Sequence, residues 1–373
     1  MKILVINPGS TSTKLAVFED DLLVWKQNVS HPAAELAPFQ HINEQYEYRK
    51  CHVLEALNQA GIPLHFDAVI SRGGLLRPIP GGVYRINEHM KQDLWHANME
   101  HASNLGGLIA DELAQQIGCP AFLADPVVTD ELCDIARISG IPELPRISIF
   151  HALNSRAVSR KYAASIGRDY EELDLIVVHL GGGISVSAHH RGKVIDVNNA
   201  LNGEGPFSPE RAGTLPARQL VDLCFSGKYT HAELKKLING KGGLMAYLGT
   251  TDVPEVIRLA QEGSRKHTLL LDAMMYTVAK QVGAMYVALH CHADALIVTG
   301  GIAYNKCCID ALHEWVGSLS EIVVIPGEDE MTALAMNAIG ALTGKIPLQT
   351  YQPEVLEKKL RDLLDGVGTD QIS

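Results

Sequence analysis

ILVINPGSTSTKLAVFEDDLLV, residues 3–24, has a counterpart later in the chain, LIVVHLGGGISVSAHHRGKVID at residues 175–196. A shift of 172 residues places one apolar strand on the other and Gly9 on Gly181. Each copy reads as an apolar strand, a loop of small residues, an alternating strand, a polar turn and a third strand. The repetition predicts that the chain contains two related domains.

At the same shift of 172 residues, the polar turn at 19–21 aligns with the turn at 191–193. A second pair of similar segments follows this first pair. DAVISRGG at 67–74 then resembles DALIVTGG at 294–301, each a short apolar run ending in paired glycines. Such runs are typical of central strands that are covered on both faces. With the helical stretches between them, they predict two α/β domains.

Composition limits the possible functions. The chain has 373 residues, 46% apolar and 20% charged, and a formal net charge of -11. An acidic chain is a poor general binder of nucleic acid, and no apolar run approaches the roughly 20 residues of a membrane helix. The seven cysteines form no C-x-x-C pair, and the apolar run at 3–6 is too short for a signal peptide. We therefore expect reduced thiols and a cytoplasmic protein without nucleic-acid or membrane partners.

Three loops carry the composition of a phosphate site. NPGSTSTK at 7–14 combines a glycine turn, hydroxyl groups and a lysine, which can form an anion-binding concavity. HLGGGIS at 179–185 and VTGGIAYN at 298–305 offer glycine-rich strand ends. The 7–14 loop matches neither the Walker nor the Rossmann spacing, and taken alone it could be a plain polar hairpin. Together they predict a site for a polyphosphate chain.

Seven motifs are spread along nearly the whole chain: INPGSTSTK at 6–14, SRGG at 71–74, EHASNLG at 100–106, DPVVTDEL at 125–132, FHALNSR at 150–156, HLGGG at 179–183 and TGGIAYNK at 299–306. These motifs resemble those of the acetokinase family, within the acetate and sugar kinase, heat-shock and actin superfamily. The resemblance is greatest to the butyrate branch of that family.

The resemblance implies the architecture. It predicts an α/β fold of two duplicated ribonuclease H-like (actin-like ATPase) domains with an interdomain cleft. Residues 1–154 and 330–373 would form an N-terminal domain for the acyl substrate and metal, and 155–329 a nucleotide-binding domain. An amphipathic helix after Pro353 is expected to pack on the first domain. A homo-oligomer is also implied.

The implied activity is reversible phosphoryl transfer between ATP and a short-chain fatty acid, butyrate, giving butanoyl phosphate and ADP, with Mg²⁺. The carboxylate is already anionic near neutral pH, so no general base is needed. Catalysis must come from in-line positioning and neutralisation of negative charge. Arginines, a histidine and a metal ion are the groups to look for.

By the same resemblance, Arg72 holds the carboxyl and the transferring phosphoryl, since a guanidinium matches both geometries. Arg211 is the second catalytic arginine. His151 stabilises the equatorial phosphoryl oxygens. Without the motifs, an arginine would more often be a surface ion pair, and a lone histidine would more often be structural.

The resemblance also implies the metal ligands. Asp125, which is counted among the catalytic residues, follows an apolar strand and is expected to hold Mg²⁺ through water. Glu330 and the catalytic Asn7 complete the set, although Glu328 or Asp329 could take the place of Glu330. A solvated acidic turn is the alternative interpretation.

The remaining candidates concern the substrates. Nucleotide binding is assigned to Ser10, Ser12, Lys14, His179, Gly181, Gly182, Gly183, Asp252, Gly300, Gly301 and Asn305. The substrate pocket is assigned to Gly74, His101, Asn104 and Phe150. Acetate kinases have valine where this chain has Gly74, so we expect room for roughly two more methylenes, each worth about 0.8 kcal/mol when buried. Phe150 would be an apolar wall.

Other functions stay open on the sequence alone. The acceptor could be acetate, propionate or a branched-chain fatty acid. A sugar kinase of the same superfamily would need a base, and Asp125 is the obvious candidate. An ATP-driven conformational protein of the actin or heat-shock type would use no small acceptor. A binding or regulatory module lacks support from any basic patch.

Overall fold

A computed structural model describes residues 1–97 and 99–368, which contain two separate β-sheets. The strands are β1 (Lys2–Pro8), β2 (Ser12–Glu19), β3 (Leu22–Ser30), β4 (Ala68–Arg72), β5 (Val83–Arg85), β6 (Ala121–Ala124), β7 (Asp174–Leu180), β8 (Ile184–His190), β9 (Lys193–Val197), β10 (Ala295–Thr299), β11 (Ile322–Val324) and β12 (Leu348–Gln349). The α-helices are α1 (Ala33–Leu36), α2 (Tyr46–Gln59), α3 (Glu88–Trp95), α4 (Asn104–Ile117), α5 (Asp134–Arg137), α6 (Ala152–Ser165), α7 (Ala217–Cys224), α8 (His231–Ile238), α9 (Gly243–Leu248), α10 (Val253–Gln261), α11 (Arg265–Ala288), α12 (Lys306–Val316), α13 (Glu330–Leu342) and α14 (Pro353–Gly368). Short 3₁₀ turns lie at Ile42–Gln45, Tyr170–Glu172 and Gly301–Tyr304.

Unit 1 consists of residues 1–130 and the chain from 329 onward. Its sheet has the order β12-β5-β6-β4-β1-β2-β3. Leu4 and Ile6 of β1 join a core cluster with residues of α2, α3 and α4. Because side chains alternate along a strand, Ile3 and Val5 face the other side, where α13 packs against β1 and β4. The central strands β1 and β4 are therefore covered on both faces, as the apolar runs predicted.

Unit 2, residues 131–328, repeats this arrangement. Its sheet has the order β11-β10-β7-β8-β9. On one face Ile176 and Val178 pack with α10, α11 and α12, and on the other Leu175 and Val177 pack with α6. Five strands of each unit thus have the same order and directions, since β1 and β7 are each antiparallel to the next strand and parallel to the strand on their other side.

The repeat predicted from the sequence holds at the level of register. Ile3 pairs with Ala68 across the parallel strands of unit 1, and Leu175 pairs with Ala295 in unit 2. The alignment of 3–24 with 175–196, together with that of 67–74 with 294–301, requires these partners. The first strand of each hairpin and its parallel neighbour are therefore equivalent residue for residue.

An aspartate fixes this register in both units. The Lys2 amide donates to Oδ2 of Asp67 at 2.6 Å, and the Asp174 amide donates to Oδ2 of Asp294 at 2.8 Å. Each carboxylate binds the start of the neighbouring strand, so a slip by one residue would break the bond.

The second hairpin is one residue shorter than the first, which corrects the predicted alignment of the turns. The loop between strands is 9–12 in unit 1 and only 181–183 in unit 2. Beyond the loop the shift is therefore 171, and Asp20 matches Arg191. Both have positive φ, 53° and 47°, which confirms their equivalence at the turn.

The division between the units differs from the domain limits expected from the sequence. Residues 131–154 were expected in the first domain, but they belong to unit 2. The Cys133 amide donates to the Ile195 carbonyl at 2.9 Å, and the Val194 amide donates to Glu131 at 2.9 Å. These contacts with β9 explain why the compact unit begins earlier. The other limit differs by one residue, since unit 1 resumes at 329 and not at 330.

The last described helix, α14, packs on unit 1. Arg77 forms ion pairs with Glu354 at 2.8 Å and with Glu357 at 3.4 Å, and Tyr351 is buried beside Asp93. Residues 369–373 lie outside the described part. No described helix is long and apolar enough to cross a membrane, and all seven cysteines are free thiols.

Candidate active site

Glu330 brings two of the predicted residues of unit 1 together. Its carboxylate accepts a hydrogen bond from Nδ2 of Asn7 at 2.8 Å and lies 3.1 Å from Nη1 of Arg72. Asn7 is near the end of β1 and Arg72 is the last residue of β4, so the polar group forms where two parallel strands end. Only 14% of the Glu330 side chain and 25% of the Arg72 side chain are exposed.

The structure also separates the three acidic neighbours. Asp329 caps α13, because its side chain accepts the amide of Thr332 at 3.3 Å. Glu328 belongs to unit 2 and lies 2.9 Å from Nε2 of His179. Glu330 contacts the predicted catalytic residues Asn7 and Arg72 of unit 1.

Asp125 follows β6 and is held in an unusual backbone conformation. It has a φ of 38°, which is uncommon outside glycine, and its side chain is buried. Oδ1 accepts the Gly82 amide at 2.8 Å, and the Asp125 amide donates to the Gly82 carbonyl at 3.0 Å. These paired bonds offset the backbone strain and fix the carboxylate at the end of the strand.

The space beside Gly74 is not empty, which corrects the pocket argument from the sequence. A β-carbon there would lie 2.4 Å from Oδ1 and 2.6 Å from Cα of Asn104. Asn104 is buried, and its side chain accepts the Leu75 amide at 2.7 Å. Gly74 is thus required for the close approach of α4, and the volume of a missing valine is already filled.

His101 lies at the surface just before α4. Its Nδ1 accepts the Ser103 amide at 3.2 Å and lies 2.7 Å from the Ser103 hydroxyl, so the proton of a neutral ring is on Nε2. Loss of hydration, followed by the charges of Arg72 and Arg49, lowers the pKa of His101. A neutral histidine can donate a hydrogen bond without adding charge.

The phosphate-loop candidates differ in exposure. Ser10 and Lys14 are exposed and Ser12 is half-buried. Beneath the loop lies a residue that the sequence did not single out, Arg49 of α2, which is fully buried. An arginine within an ordinary helix gives no signal from its neighbours in sequence.

In unit 2, His151 stacks on His179. The ring centroids are 3.7 Å apart and the planes differ by 7°. His151 Nδ1 lies 3.0 Å from the hydroxyl of Ser185, and Nδ1 of His179 accepts a hydrogen bond from Nδ2 of Asn154 at 2.9 Å. The neutral His179 ring therefore carries its proton on Nε2. That nitrogen lies 2.9 Å from Glu328, out of line for a good hydrogen bond.

Arg211 occupies the space left by the third glycine of the loop. A β-carbon at Gly183 would lie 1.9 Å from Nη1 and 2.5 Å from Cζ of Arg211. Nη1 donates to the Ala200 carbonyl at 2.9 Å, and Nε has no hydrogen-bond partner among the described residues. Burial lowers the pKa of this guanidinium, which nevertheless remains charged at neutral pH.

A cavity of about 460 Å³ adjoins the other glycines of unit 2. It is lined by Gly181, Gly182, Pro209, Glu210, Thr251, Asp252, Val253, Pro254, Gly301, Ile302, Asn305 and Glu328. The predicted nucleotide residues Asp252 and Asn305 stand at the starts of α10 and α12. The lining residues that were not predicted as part of this pocket are Pro209, Glu210, Val253, Pro254, Ile302 and Glu328.

Two further candidates, Gly300 and Phe150, are closely packed against other residues of unit 2. Gly300 has a φ of 91°, and a β-carbon there would lie 2.3 Å from the Leu180 carbonyl oxygen. Phe150 is 2% exposed and belongs to a core cluster that includes Leu132 and Val194. Their predicted roles toward nucleotide and acyl chain remain predictions.

The predicted site residues are therefore divided between the units. Unit 1 holds Asn7, Ser10, Ser12, Lys14, Arg72, Gly74, His101, Asn104, Asp125 and Glu330, and unit 2 holds Phe150, His151, His179, Gly181, Gly182, Gly183, Arg211, Asp252, Gly300, Gly301 and Asn305. Across residues 1–97 and 99–368, no three His, Cys, Asp or Glu side chains form a ready metal cluster.

Residues 146–319 match the acetokinase family. A probable butyrate kinase of Phocaeicola vulgatus is 65% identical over 354 residues, which are 95% of this chain and 100% of the relative. The chain belongs to the acetokinase family. Butyrate kinase 2 of Clostridium acetobutylicum is 51% identical over 353 residues, 94% of this chain and 99% of the relative.

A solved acetate kinase structure shares the fold. Acetate kinase of Porphyromonas gingivalis has a TM-score of 0.74 at 20% identity, over 91% of this chain and 99% of the other. This likeness confirms the predicted duplicated α/β class. At so low an identity it carries no information about individual side chains.

Proposed function

We propose that this chain is a carboxylate kinase that transfers the γ-phosphoryl of ATP reversibly to butyrate, giving butanoyl phosphate and ADP. The observation that carries the proposal is the end-to-end identity of 65% and 51% with relatives named as butyrate kinases. The candidate site contains the charge-neutralising groups that such a transfer requires.

Unit 1 supplies groups that suit the carboxylate and the phosphoryl. The carboxylate is ionised and attacks phosphorus without a base. Arg72 stands at a strand end, and its contact with Glu330 through Nη1 fixes the direction of the guanidinium. A fixed guanidinium can neutralise the phosphoryl oxygens without paying for reorganisation during transfer.

The oxygen donors of unit 1 fit a hard divalent cation. Asn7, Asp125 and Glu330 offer amide and carboxylate oxygens, the ligands that Mg²⁺ prefers, and Mg²⁺ usually retains water and uses few protein ligands. That property agrees with the lack of a ready cluster among the described residues. Bound Mg²⁺ would neutralise charge on the β- and γ-phosphates.

Unit 2 supplies groups that suit the nucleotide. We place ATP in the cavity next to Gly181 and Gly182, where exposed backbone allows close approach of a phosphate chain. Arg211 and His151 then donate to phosphoryl oxygens as negative charge develops.

A hydroxamate trap for acyl phosphate tests the function. Purified protein with ATP, Mg²⁺ and hydroxylamine should give hydroxamate from carboxylic acids of two to six carbons, with the highest kcat/KM for butyrate. A maximum at acetate or a branched acid would correct the substrate. ATP hydrolysis indifferent to every acid would instead favour an ATP-driven conformational protein.

A pair of arginine variants tests the site. Arg72→Gln should lower kcat/KM by about 100-fold or more, the usual effect of losing a charge-stabilising donor. Arg77→Gln is the matched control, because Arg77 is engaged with Asp93 and Glu354. Equal activity of the two variants would exclude Arg72 from catalysis.

The proposal also includes the oligomeric state and the cellular location. We propose a homo-oligomer, to be tested by sedimentation equilibrium, with a monomer at micromolar concentration as the contrary result. We also propose a cytoplasmic location, which the seven free thiols support because such thiols persist in a reducing compartment.

A further inference from the structure

Arg49 is a buried cation whose charge is balanced by none of the described side chains. The residue is 0% exposed. Its Nε donates to Oε1 of Gln45 at 3.0 Å, and Nη1 lies 3.5 Å from Oγ1 of Thr13. No carboxylate in residues 1–97 and 99–368 lies within ion-pair distance of it. An arginine in this position would normally be paired.

The remaining guanidinium donors hold the phosphate loop from below. Nη1 donates to the Gly9 carbonyl and Nη2 to the Ser10 carbonyl, both at 2.9 Å. The Thr11 carbonyl accepts the His31 amide at 2.8 Å, and the Ser12 carbonyl accepts the Gly9 amide at 2.7 Å. All four carbonyl oxygens of the loop therefore have donors within the protein.

With its carbonyls engaged, the loop leaves two amides for a ligand. Ser10 and Thr11 are exposed, and their amides make no hydrogen bond within the described part of the chain. Consecutive free amides in a turn form a concavity for an anion. The loop is thus an anion site set in place by a positive charge on its inner side.

The neighbouring His31 adds no second positive charge beside that of Arg49. His31 lies 2.8 Å from Thr13 and is buried beside Tyr48 and His52. Burial, and then the charge of Arg49, lowers the pKa of His31 to about 4, so this ring is neutral at neutral pH. Glu35, the carboxylate whose charge acts on His31, accepts a hydrogen bond from Tyr48.

We propose that Arg49 is a positioning residue for phosphoryl binding: it orients the 9–12 loop and supplies the charge that a phosphoryl group on the Ser10 and Thr11 amides neutralises. The inference rests on the proposed function in taking the bound anion to be a phosphoryl group of ATP or acyl phosphate. The unpaired buried charge would then destabilise the free protein but increase its affinity for the substrate.

Three variants distinguish the effect of the Arg49 charge from that of its hydrogen bonds. Arg49→Gln keeps hydrogen-bonding groups but removes the charge, and Arg49→Lys keeps the charge with fewer donors. Lys50→Met removes a cation from the next position of the same helix, where Lys50 pairs with Glu47 and Glu112. Binding of inorganic pyrophosphate by calorimetry and the KM for ATP are measured for each, after circular dichroism has confirmed folding.

Arg49→Gln should weaken pyrophosphate binding and raise the KM for ATP by about tenfold or more, as expected for loss of a charge-assisted contact. Arg49→Lys should recover most of the affinity with a lower kcat, and Lys50→Met should match the wild type. Unchanged affinity in Arg49→Gln, or equal defects in Arg49→Gln and Arg49→Lys, would overturn the proposal.

A measurement on the unchanged protein covers the case in which Arg49→Gln fails to fold. Pyrophosphate should slow hydrogen exchange at the Ser10 and Thr11 amides, and unaltered exchange at saturating pyrophosphate would refute the anion site. Both binding experiments are independent of acyl phosphate formation. Failure of the hydroxamate assay would therefore reject the proposed reaction without deciding the role of Arg49.

Discussion

Gly183→Ala should displace Arg211 while changing no charged group. The added β-carbon would lie 1.9 Å from Nη1, whereas ordinary contact begins at 3.4 Å. The guanidinium must therefore move by about 1.5 Å and lose its bond to the Ala200 carbonyl. A misplacement of about 1 Å can cost about 100-fold, so kcat/KM should fall by about two orders of magnitude, or about 2.7 kcal/mol.

The hydroxamate assay measures this effect, and two further variants identify its cause. Gly283→Ala makes the same chemical change in α11, where a β-carbon meets nothing within 4 Å, and should keep full activity. In an Arg211→Ala background, Gly183→Ala should add almost nothing, because the displaced group is already gone. Full activity of Gly183→Ala, or an equal loss in both backgrounds, would refute the reasoning.

Three other changes have definite expected outcomes. Gly74→Ala should lower the free energy of unfolding by about 1–3 kcal/mol through overpacking against Asn104, and an unchanged urea midpoint would contradict the packing described here. Glu330→Gln should raise the Mg²⁺ concentration for half-maximal activity about tenfold and loosen Arg72; a metal titration at saturating butyrate checks this. His189 is buried and its pKa is lowered to about 3, so the unfolded chain takes up a proton below about pH 6.5 that the folded chain does not. The free energy of unfolding, measured with urea, should therefore fall as the pH falls from 6 to 4.5. This fall should be about 1.4 kcal/mol per pH unit smaller in His189→Gln.

The sequence predicted the sheets because their signal is local. Apolar strands, glycine loops and polar turns recur at nearly constant spacing, and the paired register of Ile3 and Leu175 with their neighbours follows from the two shifts. The one-residue difference between the hairpins was missed, since the Gly181–Gly183 run could be aligned with either end of the longer loop.

The candidate site was predicted less completely, for a different reason. Motif resemblance selected Arg72, Glu330 and Arg211, but it could not tell which neighbours they contact. Gly74 was taken as open volume, whereas Asn104, thirty residues later, fills it. Contacts between residues far apart in sequence depend on tertiary pairing and leave no local pattern.

The interrupted course of unit 1 has a consequence during synthesis. One face of β1 is covered by α13, which lies more than three hundred residues later, and all of unit 2 is translated in between. At about 5–20 residues per second, those roughly 200 residues take about 10–40 s on a ribosome. Throughout that delay Ile3 and Val5 lack their partner helix, so the nascent N-terminal sheet is a natural client for a chaperone, whereas residues 131–328 can close as soon as they emerge.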